Sequence, residues 1–121
     1  MKYLFSFILA FILLINPLNT LAEEVVLAGG CFWCLEHDLE SLNGINSVNS
    51  GYSGGGLQNP NYENHEGHQE AVLVNYNPNI VSFDEILRLF LRNIDPLDGG
   101  GQFCDRGNSY KPVIFFNDTN E

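Results

Sequence analysis

The stretch VVLAGGCFWCLEHDLESL, residues 25–42, decides the fold because it carries a strand, a paired glycine turn and a helix in immediate succession. Residues 24–28 form a short, mostly apolar run that suits a buried strand. Three leucines within residues 35–42 fall on one face of a helix. Cys31 therefore lies near the start of that helix, directly after the turn.

A thiol at this position favours reactive chemistry. Backbone N–H groups at a helix N-terminus are unpaired and the helix dipole is positive there, so a thiolate is stabilised at Cys31. Phe32 and Trp33 follow it directly and can form an apolar pocket against the sulfur. The alternative is a buried structural cysteine that packs as a small hydrophobe. The glycine pair and the helix start favour the reactive interpretation.

The N-terminal segment 1–22 has the pattern of a secretory signal peptide. Lys2 gives a positive start, residues 3–15 are almost entirely apolar, and Ala22 ends a small-residue cleavage pattern. A membrane anchor is the competing interpretation, but the apolar core is shorter than the roughly 20 residues needed to cross a bilayer. We expect one small domain over residues 23–121, exported across the inner membrane into the periplasm.

Charge and cysteine content limit the function further. After removal of the leader the chain has four basic and 15 acidic residues, a formal charge of −11. Such a chain repels nucleic acid and anionic membrane surfaces. Its three cysteines would meet an oxidising compartment, where an odd number indicates a working thiol.

The remaining pattern predicts a single α+β domain. Alternation and turn residues predict strands over 45–52, 70–76 and 112–116, and a capping-box signature at Ser82 predicts a helix over 83–93. Irregular loops are predicted over 57–69 and 95–108. The order strand, helix, strand, strand, helix, strand is the split βαβ, ferredoxin-like pattern, a βαββαβ sheet with two helices on one face.

Several dispersed motifs resemble the peptide methionine sulfoxide reductases of the A type. They are residues 30–33 (GCFW), 50–55 (SGYSGG), 59–62 (NPNY), 67–72 (GHQEAV) and 101–107 (GQFCDRG) followed by Tyr110. The resemblance runs from about Val25 to Phe116, nearly the whole predicted domain. Typical members of the family continue past the last predicted strand with a further helix and a C-terminal segment, which this sequence lacks. We therefore expect the family domain to be incomplete at its C-terminus.

The resemblance implies reduction of the S epimer of methionine sulfoxide, free or in proteins, as a repair of oxidative damage. It implies that Cys31 attacks the sulfoxide sulfur, that Glu70 protonates the departing oxygen, and that Tyr62 and Tyr110 donate hydrogen bonds to that oxygen. An acid in an apolar setting suits this role, because a sulfoxide oxygen leaves only when it is protonated.

The resemblance also assigns substrate binding and electron supply. Phe32 and Trp33 would hold the S-methyl group, and Asp105 would help to bind the substrate backbone. Cys31 would become a sulfenic acid and then form a disulfide with a resolving cysteine. Cys104 and Cys34 are the candidates, and we favour Cys104. The family uses no metal or other cofactor, and a thioredoxin-like donor is the expected reductant.

Three other functions stay open at this level. Cys31 and Cys34 have the Cys-X-X-Cys spacing of thioredoxin-like oxidoreductases. Together with His65 and His68, the same cysteines could form a zinc site. The chain could also be an inactive remnant that binds methionine sulfoxide without turnover.

Overall fold

The structure is a computed structural model that describes residues 21–116. Almost all of the predicted signal peptide, 1–22, lies outside the described residues. Within them, the strands are β1 (Glu23–Ala28), β2 (Ile45–Ser53), β3 (Gln69–Tyr76), β4 (Gly101–Gln102), β5 (Asp105–Arg106) and β6 (Val113–Phe115). The helices are α1 (Phe32–Glu40), α2 (Phe83–Asn93) and a short 3-10 helix (Asn108–Tyr110). In this described part, no helix has the length and apolar character needed to span a bilayer.

The main sheet has the strand order β2-β3-β1-β6, and every neighbouring pair is antiparallel. This order places β3 between two strands that a helical crossover joins, which is the ferredoxin-like arrangement predicted from the sequence. Both helices contribute buried side chains to one hydrophobic cluster with the strands. Its members include Val25, Leu27, Leu35, Leu39, Val72, Val74, Ile86 and Phe90. The prediction of an α+β fold with two helices on one face is confirmed.

Helix α2 begins and ends where the sequence predicts. Ser82 Oγ accepts a hydrogen bond from the Glu85 N–H at 3.2 Å, and the Glu85 carboxylate accepts one from the Ser82 N–H at 2.8 Å. This reciprocal pair satisfies two backbone donors that the first helical turn leaves free. The apolar residues that follow at helical spacing bury Ile86 and Phe90 against the sheet.

The predicted loop over 95–108 contains more structure than its composition indicates. Strands β4 and β5 form a two-stranded hairpin, and the 3-10 helix follows directly. Gln102 is buried, and its amide bonds to the backbone N–H of Asp95 at 2.6 Å and to the Asp95 carbonyl at 2.8 Å. The sequence does not reveal this hairpin, because strands of two residues are too short to show alternation. The hydrogen bonds of Gln102 join the hairpin to the chain at Asp95.

The turn between β1 and α1 uses its two glycines for different purposes. Gly30 has a φ of +90°, a conformation that side chains disfavour. Gly29 packs closely, because a Cβ there would lie 2.7 Å from Ile94 Cγ2. The pairing of Ala28 with Ala71 then sets Glu70, at the start of β3, beside the turn that carries Cys31.

Candidate active site

Cys31 is the N-cap residue of α1. Its carbonyl oxygen accepts hydrogen bonds from the backbone N–H groups of Cys34 at 3.1 Å and Leu35 at 3.3 Å. Its side chain makes no capping bond to the helix and is half-buried. The thiol is therefore held at the positive end of the helix dipole and remains free to react.

Glu70 lies next to this helix start. Its side chain is only 2% exposed, and Oε2 accepts a hydrogen bond from the Phe32 N–H at 3.1 Å. Burial raises the pKa of Glu70 above its ordinary value, and the charge of Asp105 adds to this, while the Phe32 N–H and His65 oppose it. Burial outweighs both opposing contributions. A carboxyl with a raised pKa is suited to carry a proton that it can donate.

The second carboxyl oxygen of Glu70, Oε1, is available to a substrate. Within residues 21–116 it accepts no hydrogen bond, and no fully buried polar side-chain atom lacks a partner. Oε1 therefore keeps some contact with solvent even though the residue as a whole is buried. The carboxyl is thus anchored by one oxygen and has the other free of hydrogen bonds to the described residues.

Three aromatic rings form a wall beside the thiol. Phe32 is buried, whereas Trp33 and Tyr62 are each 58% exposed. The Phe32 and Trp33 ring centroids lie 5.1 Å apart, and Trp33 stacks on Tyr62 at 5.5 Å with an interplanar angle of 21°. This wall is apolar and open on one side, which suits a small apolar group brought in from solvent.

Tyr110 and Asp105 reach the same place from the 3-10 helix and β5. Burial raises the pKa of Tyr110, and the charges of Glu70, Tyr62, Asp105 and Cys31 add to the increase. Because charges interact appreciably only at short range in a protein, this pattern indicates that Tyr110 lies near the nucleophile, the acid, the other tyrosine and the aspartate named from the sequence. Their roles remain predictions.

The two candidate resolving cysteines differ in their surroundings. The pKa of the Cys34 thiol is raised, first by hydrogen bonding with Cys31, then by burial and by the charge of Cys31, with smaller contributions from Asp105 and Asp38. Cys104 is exposed and lies between β4 and β5, directly after Phe103, whose φ is +50°. Our preference for Cys104 stays untested, and Cys34 lies one helical turn from Cys31, its N–H donating to the Cys31 carbonyl at 3.1 Å.

Two residues of the site were not assigned roles from the sequence. Tyr52 in β2 pairs with Glu70 in the sheet register, and its ring lies 5.6 Å from Phe32. The His65 ring stacks on the Tyr52 ring with 4.7 Å between their centroids, and its charge lowers the pKa of Glu70. The register of β2 against β3 would have placed Tyr52 beside Glu70. No local sequence pattern indicates that His65 also lies at this site.

The two histidines of the zinc interpretation bind protein groups. His65 lies 3.0 Å from the Asn61 carbonyl and 2.9 Å from Ser109 Oγ. His68 accepts the Gly55 N–H at 3.3 Å through Nδ1 and faces the Leu57 carbonyl at 3.1 Å through Nε2. In the described part of the chain, no three histidine, cysteine or acidic side chains are grouped to hold a metal ion.

Sequence comparison identifies the relatives of this chain. The family described as peptide methionine sulfoxide reductase matches residues 23–121. A protein named peptide methionine sulfoxide reductase MsrA 2 from Caulobacter vibrioides is 50% identical over 97 residues, covering 77% of this chain and 50% of that protein. A protein of the same name from Staphylococcus aureus is 50% identical over 103 residues, covering 82% and 58%. The chain thus spans about half the length of these relatives.

Solved structures agree with this result. The structure of methionine sulfoxide reductase A of Corynebacterium diphtheriae superimposes with a TM-score of 0.77 at 30% identity, covering 82% of this chain and 49% of that one. The reduced form of Mxr1 from Saccharomyces cerevisiae superimposes with a TM-score of 0.74 at 26% identity, covering 87% and 64%. The similarity therefore includes the sheet and both helices.

Proposed function

This chain belongs to the peptide methionine sulfoxide reductase family, and we propose that it reduces methionine S-sulfoxide, free or in proteins, with electrons from its own thiols. One observation carries the proposal. The buried Glu70 carboxyl bonds to the N–H of Phe32, the residue that directly follows Cys31. The strand residue Glu70 is thereby held against the first turn of the helix that Cys31 begins.

The first step is attack of the Cys31 sulfur on the sulfoxide sulfur. Glu70 donates its proton to the sulfoxide oxygen, which weakens the sulfur–oxygen bond. With this proton and the proton of the Cys31 thiol, the oxygen leaves as water while a sulfur–sulfur bond joins Cys31 to the methionine sulfur. Water then attacks the Cys31 sulfur, the sulfur–sulfur bond breaks, and its electron pair leaves with methionine as the sulfide, so that Cys31 becomes a sulfenic acid. The proton released in this step returns to Glu70. The raised pKa of Glu70 supports this role, because the acid must be protonated when the substrate arrives.

Substrate orientation comes from the groups around the thiol. The exposed stack of Trp33 on Tyr62, with Phe32 beneath it, offers an apolar surface to the S-methyl group. The phenol groups of Tyr62 and Tyr110 would donate hydrogen bonds to the oxygen. Asp105 would bind the peptide backbone of a protein substrate.

Regeneration requires a second thiol and an external reductant. We propose that Cys34 condenses with the sulfenic acid of Cys31, forming a disulfide and releasing water. Its place one helical turn from Cys31, where its N–H donates to the Cys31 carbonyl at 3.1 Å, supports this order, and Cys104 would act after it or as its alternative. A thioredoxin-like donor would then reduce the disulfide. No metal or prosthetic group is needed for these steps.

Location is a separate proposal. The sequence of residues 1–22 supports export across the inner membrane and a mature domain over 23–121 in the periplasm. Fractionation of cells that express the chain, with N-terminal sequencing of the product, tests both statements. Recovery of an uncleaved cytoplasmic chain would contradict them.

A single-turnover assay tests the reaction. The purified, fully reduced chain is mixed with methionine S-sulfoxide without further reductant, and methionine and remaining thiols are counted. We expect about one methionine per chain with the loss of two thiols, and no methionine from the R epimer. A folded chain that yields no methionine would contradict the proposal and favour the inactive remnant. If that chain nevertheless reduces a small disulfide through Cys31 and Cys34, a Cys-X-X-Cys oxidoreductase is favoured instead.

A further inference from the structure

His65 is a site residue that the reaction steps above do not use. We propose that His65 is a positioning residue that fixes the Tyr62 turn, residues 61–64, against the 3-10 helix that carries Tyr110. It would thereby set the separation of the two phenols that bind the sulfoxide oxygen. This inference rests on the proposed function, and it concerns contacts that can be measured without turnover.

The Tyr62 turn is closed by its own hydrogen bonds. The Asn61 N–H donates to the Asn64 carbonyl at 2.9 Å, and the Asn64 N–H donates to the Asn61 carbonyl at 3.1 Å. Asn61 Oδ1 also accepts from the Glu63 N–H at 3.0 Å. The turn is therefore a compact unit that can move as one body. His65 Nδ1 joins it at the Asn61 carbonyl, 3.0 Å away.

The other ring nitrogen of His65 reaches a distant part of the chain. Nε2 lies 2.9 Å from Ser109 Oγ, and Ser109 is the residue before Tyr110 in the 3-10 helix. Within the described residues, one other side-chain hydrogen bond reaches this helix from that region, from Gln69 Nε2 to the Asn108 carbonyl at 3.5 Å. The His65 bond is shorter and is the one that joins the turn carrying Tyr62 itself.

The ring chemistry makes this link independent of protonation. Nδ1 faces a carbonyl oxygen, which only accepts, so Nδ1 must carry a hydrogen. Nε2 faces a hydroxyl, which can donate to a neutral imidazole or accept from a charged one. Both bonds therefore persist in either charge state. The buried face of the ring is supported by Tyr52, 4.7 Å away and nearly parallel.

The charge of His65 has a second effect, which is to lower the pKa of Glu70. His65 and the Phe32 N–H lower the pKa of Glu70, whereas burial and Asp105 raise it. The phenols of Tyr52 and Tyr110 are the other titratable groups that face this carboxyl. Replacing His65 should therefore alter both the position of the Tyr62 turn and the acidity of Glu70. Replacing Ser109 should alter only the position.

Four variants separate these effects: Ser109→Ala, His65→Ala, the double variant, and His37→Ala as a matched control on the exposed face of α1. Single-turnover rates are measured at saturating methionine S-sulfoxide across pH. We expect Ser109→Ala to reduce the rate about tenfold with an unchanged pH profile, since misplaced contacts lower the rate. His65→Ala should reduce it at least as much and move the alkaline limb to higher pH, because Glu70 then keeps its proton longer. The double variant should match His65→Ala.

Trp33 gives a readout that needs no turnover. It is the single tryptophan of the chain and stacks on Tyr62. Release of the Tyr62 turn should increase acrylamide quenching of Trp33 emission in Ser109→Ala and His65→Ala but leave it unchanged in His37→Ala. If a folded Ser109→Ala chain keeps wild-type quenching, the inference is wrong. If the wild-type chain forms no methionine, the proposed function fails, and the quenching still decides the role of His65.

Discussion

The two sides of the site are held in different ways. On the frame, which comprises α1 and β3, Glu70 is bonded to a backbone N–H of the helix that Cys31 begins. On the loop side, which comprises residues 54–68 and the hairpin with its 3-10 helix, the turn that carries Tyr62 is joined to Ser109 through the side chain of His65. The residues proposed to react thus occupy regular elements, and the tyrosines proposed to bind the sulfoxide oxygen lie on the loop side. Regular elements limit the movement of reacting atoms, whereas loops can accommodate different substrates.

The largest loss of activity should follow from replacing Cys31, the proposed nucleophile on the frame. Cys31→Ser replaces the sulfur with a hydroxyl that is neither acidic nor nucleophilic at neutral pH, so we expect no measurable methionine. Single-turnover product counting checks this, and circular dichroism of the same sample establishes that it is folded. Methionine formation by the serine variant would remove Cys31 from the reaction.

The acid of the frame should have the next largest effect. Glu70→Gln keeps the size of the side chain and removes its proton, so we expect a rate loss of about 10²- to 10⁴-fold. Wild-type activity should fall as pH rises through the raised pKa of Glu70, and this limb should be absent in the variant. Glu63→Gln in the exposed Tyr62 turn is the matched control and should keep both the rate and the limb.

Glu70→Gln also tests whether burial of the Glu70 carboxyl lowers the stability of the fold. Because folding raises the pKa of this carboxyl, its contribution to stability is fully present at low pH and is lost as pH rises through the folded-state pKa. At pH 7 the glutamine variant should therefore unfold at the same urea concentration as the wild type or at a higher one. A clear loss of stability at pH 7 would show that the ionised carboxylate is stabilising.

Cysteines on the two sides give a direct comparison. Cys34→Ser on the frame should still release one methionine per chain but should accumulate a sulfenic acid, detectable by dimedone labelling and mass spectrometry. Cys104→Ser on the loop side should form the disulfide at the wild-type rate. The opposite pattern would make Cys104 the resolving cysteine, as the sequence analysis favoured.

A smaller effect is expected in α2, which belongs to neither side of the site. Ser82→Ala removes the hydroxyl that caps α2 and should lower the free energy of unfolding by about 1 kcal/mol. Urea denaturation measures this change. The single-turnover rate should stay at the wild-type value, because the side-chain hydrogen bonds of Ser82 within the described residues are all with Glu85. A matching loss of rate would mean that the start of α2 is coupled to the site.

The sequence was most informative where residues act on near neighbours. The bounds of α2 followed from the Ser82 and Glu85 capping pattern, and the position of Cys31 followed from the glycine turn before a helical leucine pattern. The βαββαβ order followed from the periodicity of each segment. The hairpin at Gly101–Arg106 was missed because its strands are too short to show periodicity.

The amino-acid sequence by itself determined the order of elements, the family motifs and the thiol at a helix start, since all three depend on local spacing. Only the tertiary structure decided which groups surround that thiol. The register of β2 against β3 places Tyr52 beside Glu70, and chain closure over 44 residues brings His65 to Ser109. Such contacts depend on how distant segments pack, and packing is set by the whole core, so no short pattern encodes them.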